Sequence, residues 1–133
     1  MKEIKCGETV LTRLIAESDA ESGLNFFSKD SDFIQAGIWK NYEKGKTLSA
    51  HIHNMVERSA NRTYELLYII RGCIEASIYD LDGNYIDKMT VQQGEILILL
   101  ECGHGYTIME EDTTVLEVKN GPYLGADVDR RRI

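Results

Sequence analysis

At 133 residues the chain is about one domain's length on the usual prior of ~100–200 residues per domain. Hydrophobic residues make up 43% of it and charged residues 28%, a balance that allows a buried core and excludes a disordered or fibrous chain. With 15 Lys and Arg against 22 Asp and Glu the formal net charge is −7, so nucleic acid and anionic membrane surfaces are repelled and neither is expected as a partner.

The longest aliphatic run, residues 96–100, is far short of the ~20 residues of a membrane-spanning helix. Residues 1–6 have no apolar stretch after their lysines, so no secretory signal is read and a cytoplasmic location is expected. Cys6, Cys73 and Cys102 are odd in number and lack CxxC spacing, which suits reduced thiols better than a disulfide framework or a zinc cluster.

No linker-like stretch and no repeat divides the chain. The expected organisation is a single domain over 1–133, with an N-terminal extension at 1–32, a core at about 33–123 and a tail at 124–133. Residues 8–16 alternate weakly like a strand, and 18–23 read as a polar turn or short helical segment. From Phe33 onward short β-favouring runs alternate with turn signals, and no long apolar pattern at helical period is found. Strands are predicted over 34–42, 47–53, 64–71, 74–79, 85–91, 96–100, 105–109 and 115–119. Such a series suits an all-β sandwich or barrel. Between two of these strands, Asp82-Gly83 accepts the positive φ angles of a tight hairpin turn.

Two of the chain's three histidines form His51-Ile52-His53. On a strand, side chains two apart point to one face, so both imidazoles can share a metal ion. The stretch Gly45-Lys46-Thr47-Leu48-Ser49-Ala50-His51-Ile52-His53, followed by Glu65-Leu66-Leu67-Tyr68-Ile69-Ile70-Arg71-Gly72, matches the two ends of the pattern G(x)5HxH and E(x)6G. Here the chain resembles the cupin superfamily. Gly94 through an apolar run to Gly103-His104 has the shape of that superfamily's second motif, without the usual prolines. The resemblance covers roughly residues 35–123. It implies a cupin-type double-stranded β-helix, a jelly-roll barrel, with one divalent transition metal held by His51, His53, Glu65 and His104.

The acidic ligand has two candidates. Glu57 stands at the family's usual short spacing from His53, whereas Glu65 opens an apolar strand with a glycine beyond it and is favoured. A narrower resemblance runs through HxHN, Arg62-Thr63-Tyr64-Glu65, Gly103-His104-Gly105-Tyr106 and Leu116-Glu117-Val118-Lys119-Asn120-Gly121-Pro122-Tyr123. These are similar to a group of small bacterial single-domain cupins, some of them encoded near genes for surface-polysaccharide sugars. That tilts the expected ligand toward a sugar or nucleotide-sugar derivative and the process toward polysaccharide biosynthesis.

The implied N3O set suits Mn, Fe, Ni, Zn or Cu and leaves two octahedral positions for water or substrate. Isomerase or epimerase chemistry and oxygenase chemistry both use such a site; a non-catalytic binding or sensing module is the alternative. On the predicted strand 115–119, Glu117 and Lys119 share a face, which is either a barrel interior, where they can serve as acid and base, or a solvated exterior. Tyr68 and Tyr106 are substrate-binding candidates, each more readily read as a core aromatic. Arg62 is placed to grip an anionic substrate in its guanidinium fork, although such an arginine is more often a surface charge. The run Arg130-Arg131-Arg132 reads as a solvated tail. Sheet edges that need cover make a homodimer the expected assembly.

Overall fold

The computed structural model describes residues 1–133. The strands are β1 (Lys2–Cys6), β2 (Thr9–Ile15), β3 (Gly23–Phe26), β4 (Gly37–Lys40) and β5 (Glu65–Arg71). They continue as β6 (Cys73–Tyr79), β7 (Tyr85–Gln92), β8 (Ile96–Leu99), β9 (Gly103–Ile108) and β10 (Thr114–Lys119). One short helix, α1 (Ala126–Asp129), follows. The molecule is mostly β, as expected, and no helix is long and apolar enough to cross a membrane.

Two antiparallel sheets carry the structure. The larger has the order β1-β2-β8-β5-β10 and the smaller β7-β6-β9, with β3-β4 as a separate hairpin. Between the sheets lies a core of Leu14, Leu67, Ile69, Leu97 and Leu99 from the larger one and Ile74, Ala76, Ile78 and Val91 from the smaller. The period-2 alternation of β5 and β6 produces this: every second residue turns inward, and burying it provides the main drive for the sheets to stack. A second cluster, Ile15, Ala36, Tyr64, Ile98 and Leu100, covers the outer face of the larger sheet. Its cover is pinned by Arg13, which is 3% exposed and pairs with Asp32 at 2.6 Å and with Glu3 at 3.0 Å. Thus β1 and β2, from the segment read as an extension, belong to the larger sheet, and β2 lies next to β8 near its centre.

The passage from one sheet to the other occurs at Gly72, between β5 and β6. Its φ of +81° favours glycine, and a side chain there would run into Thr113. The hairpin expected at Asp82-Gly83 joins β6 to β7. It is a wider loop than a two-residue turn, with Gly83 at φ +94° and the Asp80 carboxylate accepting from the backbone N–H groups of Asp82 and Asn84 at 3.0 and 2.8 Å.

Three expectations are corrected. The predicted strand 34–42 shortens to Gly37–Lys40, and the predicted strand 47–53 does not form: residues 41–64 contain no strand, and 41–62 are exposed throughout. The physical reason lies in that segment's apolar residues. Leu48, Ile52, Met55 and Val56 meet no core surface, so nothing offsets the entropy of ordering the backbone there. Without that strand no ladder joins the two sheets, and the expected closed barrel is not formed.

Candidate functional site

The site lies where the two sheets face each other at one end of the inner core. From the larger sheet, β5 opens with Glu65, and the β10–β5 register sets Lys119 opposite Glu65 and Glu117 opposite Leu67. Leu67 is buried in the inner core, so Glu117 and Lys119 lie on the face toward the other sheet, at its open end, where their side chains remain 47% and 35% exposed. That decides between the two faces left open for them in the sequence. From the smaller sheet, the β6–β9 register sets His104 opposite Ile78 and Tyr106 opposite Ala76, both partners being core residues, so the two rings also turn inward.

These side chains meet at Glu65, which is 6% exposed. His104 Nε2 lies 3.2 Å from Glu65 Oε2, and the Tyr106 hydroxyl donates to the same oxygen at 3.4 Å. Lys119 Nζ lies 3.0 Å from Glu65 Oε1 and 3.1 Å from Glu117 Oε1. The His104 and Tyr106 rings stack with centroids 5.2 Å apart. Burial alone would raise the Glu65 carboxyl, but the hydrogen bond and charge of His104, and then those of Lys119, outweigh it and hold the group at about 2. At Lys119 burial works against the ammonium, and the two glutamates more than offset it, so its pKa is raised. Burial, reinforced by Glu65 and Glu117, pushes the Tyr106 phenol up and keeps it a neutral donor. Burial likewise pushes the Cys102 thiol up to about 12, which makes it a poor redox or metal-binding thiolate.

A cavity of about 580 Å³ opens onto this cluster, with Arg62, Glu65, His104, Tyr106, Glu117 and Lys119 in its wall. Six of the nine site residues read from the sequence therefore share one space. Tyr68 does not: it pairs with Leu116 and Ile96 on the opposite face of β5 from Glu65, because an odd step along a strand reverses the side chain. His51 and His53 do not either. Their rings are 4.9 Å apart, but both lie in the exposed segment 41–62, and His51 Nδ1 is bonded locally to the Ser49 carbonyl at 3.1 Å. Glu57, the rival carboxylate, lies in the same exposed segment.

The four ligands implied by the cupin resemblance are therefore only half assembled. Glu65 and His104 are in contact, and no three His, Cys, Asp or Glu side chains converge as a metal-holding group. Both Glu65 oxygens also have protein partners, one of them an ammonium where a metal cation would compete. The set as it stands does not fit the ion. One atom remains without a role: His104 Nδ1 is buried and has no hydrogen-bond partner.

Sequence reasoning missed the frame around the cavity. Tyr64 anchors the entry to β5 by donating its N–H to Asn120 Oδ1 at 2.7 Å and its hydroxyl to Glu101 at 3.0 Å, while Asn120 Nδ2 donates to the Arg62 carbonyl at 3.1 Å. It also missed the tail, since Asp129, Arg130 and Arg131 line the cavity. No local motif announces such contacts between segments distant in sequence. Comparison with family models, with curated proteins and with solved structures found no match.

The Glu65 arrangement sets a pH dependence. A carboxyl held at about 2 in the fold and near its ordinary 4.5 when unfolded contributes stability that is complete above about pH 5 and is lost as pH falls from 4.5 toward 2. A gap of that size is worth about 3 kcal/mol. Urea unfolding of the wild type and of Glu65→Gln is expected to show a stability difference at pH 7 that shrinks steadily as pH falls below 4.5. A difference independent of pH would contradict the burial of an ionised Glu65.

Proposed function

We propose that the chain is a cupin-type enzyme acting on a small polar substrate, a sugar or nucleotide-sugar derivative, by moving a proton in an isomerisation or epimerisation. The observation that carries this reading is the pairing of His104 with Glu65 inside a cavity of small-molecule size. His104 Nε2 lies 3.2 Å from the Glu65 carboxylate, which orients the ring, and the His104 side chain lines the cavity as the candidate proton acceptor. Lys119 keeps Glu65 ionised, so the carboxylate stabilises an imidazolium once the ring has taken a proton. Glu117 and the Tyr106 hydroxyl add a second carboxylate and a neutral donor within the same cluster. A binding or sensing module would be served by an apolar wall; the ionisable groups here favour catalysis.

The test is solvent isotope uptake. The wild type is incubated in D2O with a panel of aldoses, ketoses and nucleotide sugars, and proton NMR follows deuterium at carbons adjacent to a carbonyl. Uptake is expected for at least one class, falling ~100-fold or more in His104→Asn and Glu65→Gln, as removal of a general base does. Saturable binding without uptake would overturn the enzyme and leave the binding module.

A metal-dependent form of this reading requires the exposed segment that carries His51 and His53 to fold over β9, the open edge of its sheet, and bring both rings to His104 and Glu65. The residues holding the ion would be His51, His53, Glu65 and His104, and it would supply Lewis-acid polarisation of a substrate oxygen. Elemental analysis of protein purified without an affinity tag decides it. One transition ion per chain that is lost in His51→Ala/His53→Ala supports this form, and a wild type that takes up no added divalent ion removes it.

A further inference from the structure

The mouth of the cavity gathers cationic side chains that the proton chemistry does not use. After β10 the chain turns back along the cavity, and this return is anchored. Arg131 Nη2 donates to the Leu81 carbonyl at 2.7 Å, and Thr63 Oγ1 donates to the Asp129 carboxylate. Gly83 and Gly103 leave room for it: an added Cβ would lie 3.2 and 3.1 Å from the Ile133 side chain. Arg130 and Arg131 thereby become part of the same cavity wall as Arg62 and Lys119.

The cations of this wall differ in their partners. Lys119 is held between two glutamates, and Arg62 pairs with Glu101 at 3.3 Å. Arg130 and Arg131 make no ion pair, and Arg131 is bonded only to a neutral carbonyl. The wall's other carboxylates are already engaged, Asp80 by the backbone and side chain of Asn84 and Asp129 by Thr63. The Arg62–Glu101 pair is itself 46% and 39% exposed, so little is lost on exchanging it. The chain's net charge is −7, and the cavity wall balances four cationic side chains, Arg62, Lys119, Arg130 and Arg131, against four acidic ones, Glu65, Asp80, Glu117 and Asp129. Three guanidinium forks in the wall of one cavity match an anion with several acceptor oxygens, which a phosphoryl group offers and a hydroxyl group does not.

We propose that the cavity takes a phosphorylated small molecule, with Arg130, Arg131 and Arg62 binding the phosphoryl group and the remainder of the molecule lying toward Glu65 and His104. This rests on the reading of the cavity as the substrate site and names the class of that substrate.

The probe is inorganic phosphate, titrated into the full-length chain at constant ionic strength set with sodium chloride, with backbone and arginine side-chain NMR shifts as the readout. Saturable shifts are expected at Arg62, Arg130 and Arg131. Arg130→Gln/Arg131→Gln is expected to weaken binding at least tenfold, Arg62→Gln severalfold, and Arg132→Gln, on the same tail but outside the cavity wall, less than twofold. The proposal is overturned if the wild type gives no saturable shift, if Arg130→Gln/Arg131→Gln binds as the wild type does, or if Arg132→Gln weakens binding equally. Glu65→Gln separates the two readings, because it is expected to retain phosphate binding while abolishing deuterium uptake. Uptake by a wild type that ignores phosphate would remove the anion site and leave the proton chemistry standing.

Discussion

A carboxylate that is only 6% exposed between two apolar sheets stays ionised only when cations and donors replace its lost water, and at Glu65 they arrive from both sheets. Lys119 comes from β10 beside it; His104 and Tyr106 come from β9 across the core. Removing either side leaves one oxygen of a buried carboxylate without its partner. The relative placement of the sheets at this end is thus tied to one oxygen pair, whereas further along it is set by non-directional packing of Leu67, Ile69, Ile74 and Ile78.

The surrounding architecture serves that meeting point. Gly72 lets the chain leave β5 and enter the opposite sheet without a clash, so the strand that begins at Glu65 and the strand paired with His104 are consecutive in sequence yet face each other. The one-to-one register of β10 on β5 brings two alternate charged residues, Glu117 and Lys119, inward beside the carboxylate. Tyr64 and Asn120 close the frame at the edge. What results is a polar cluster at the end of an apolar core, in which the Glu65 carboxylate is buried while His104, Lys119 and Glu117 reach the cavity. The exposed residues 41–61 stand outside this frame and carry the two histidines that would complete a metal set.

Much of the scaffold is legible in the sequence. Strands β5 and β6 declare themselves because each has one buried face, and burial imposes the period-2 pattern that the eye can follow, whereas β8 is legible as a short aliphatic run buried on both faces. The spacing of Glu65 and Gly72 is legible for the same reason: both ends of that strand have a fixed structural task. Residues 47–53 mislead because alternation is not sufficient for a strand, and Leu48, Ala50 and Ile52 have no surface to bury against. Tyr68 misleads by parity alone, since it lies an odd number of residues from Glu65. The faces of Glu117 and Lys119 cannot be told without register, and register is a property of the pair of strands. Arg130 and Arg131 are illegible for a further reason: their place in the cavity depends on a return of the tail fixed by Leu81, Thr63 and two distant glycines.

The contact between Glu65 and His104 across the sheets is the centre of this account, and a double-mutant cycle measures it directly. Unfolding free energies of the wild type, Glu65→Gln, His104→Asn and the double variant at neutral pH give the coupling between the two side chains without the separate costs of each substitution. A coupling of about 1 kcal/mol or more is expected for a charge-assisted pair at 3.2 Å with a buried carboxylate. Additive effects, with a coupling near zero, would mean that the two sheets do not meet at Glu65.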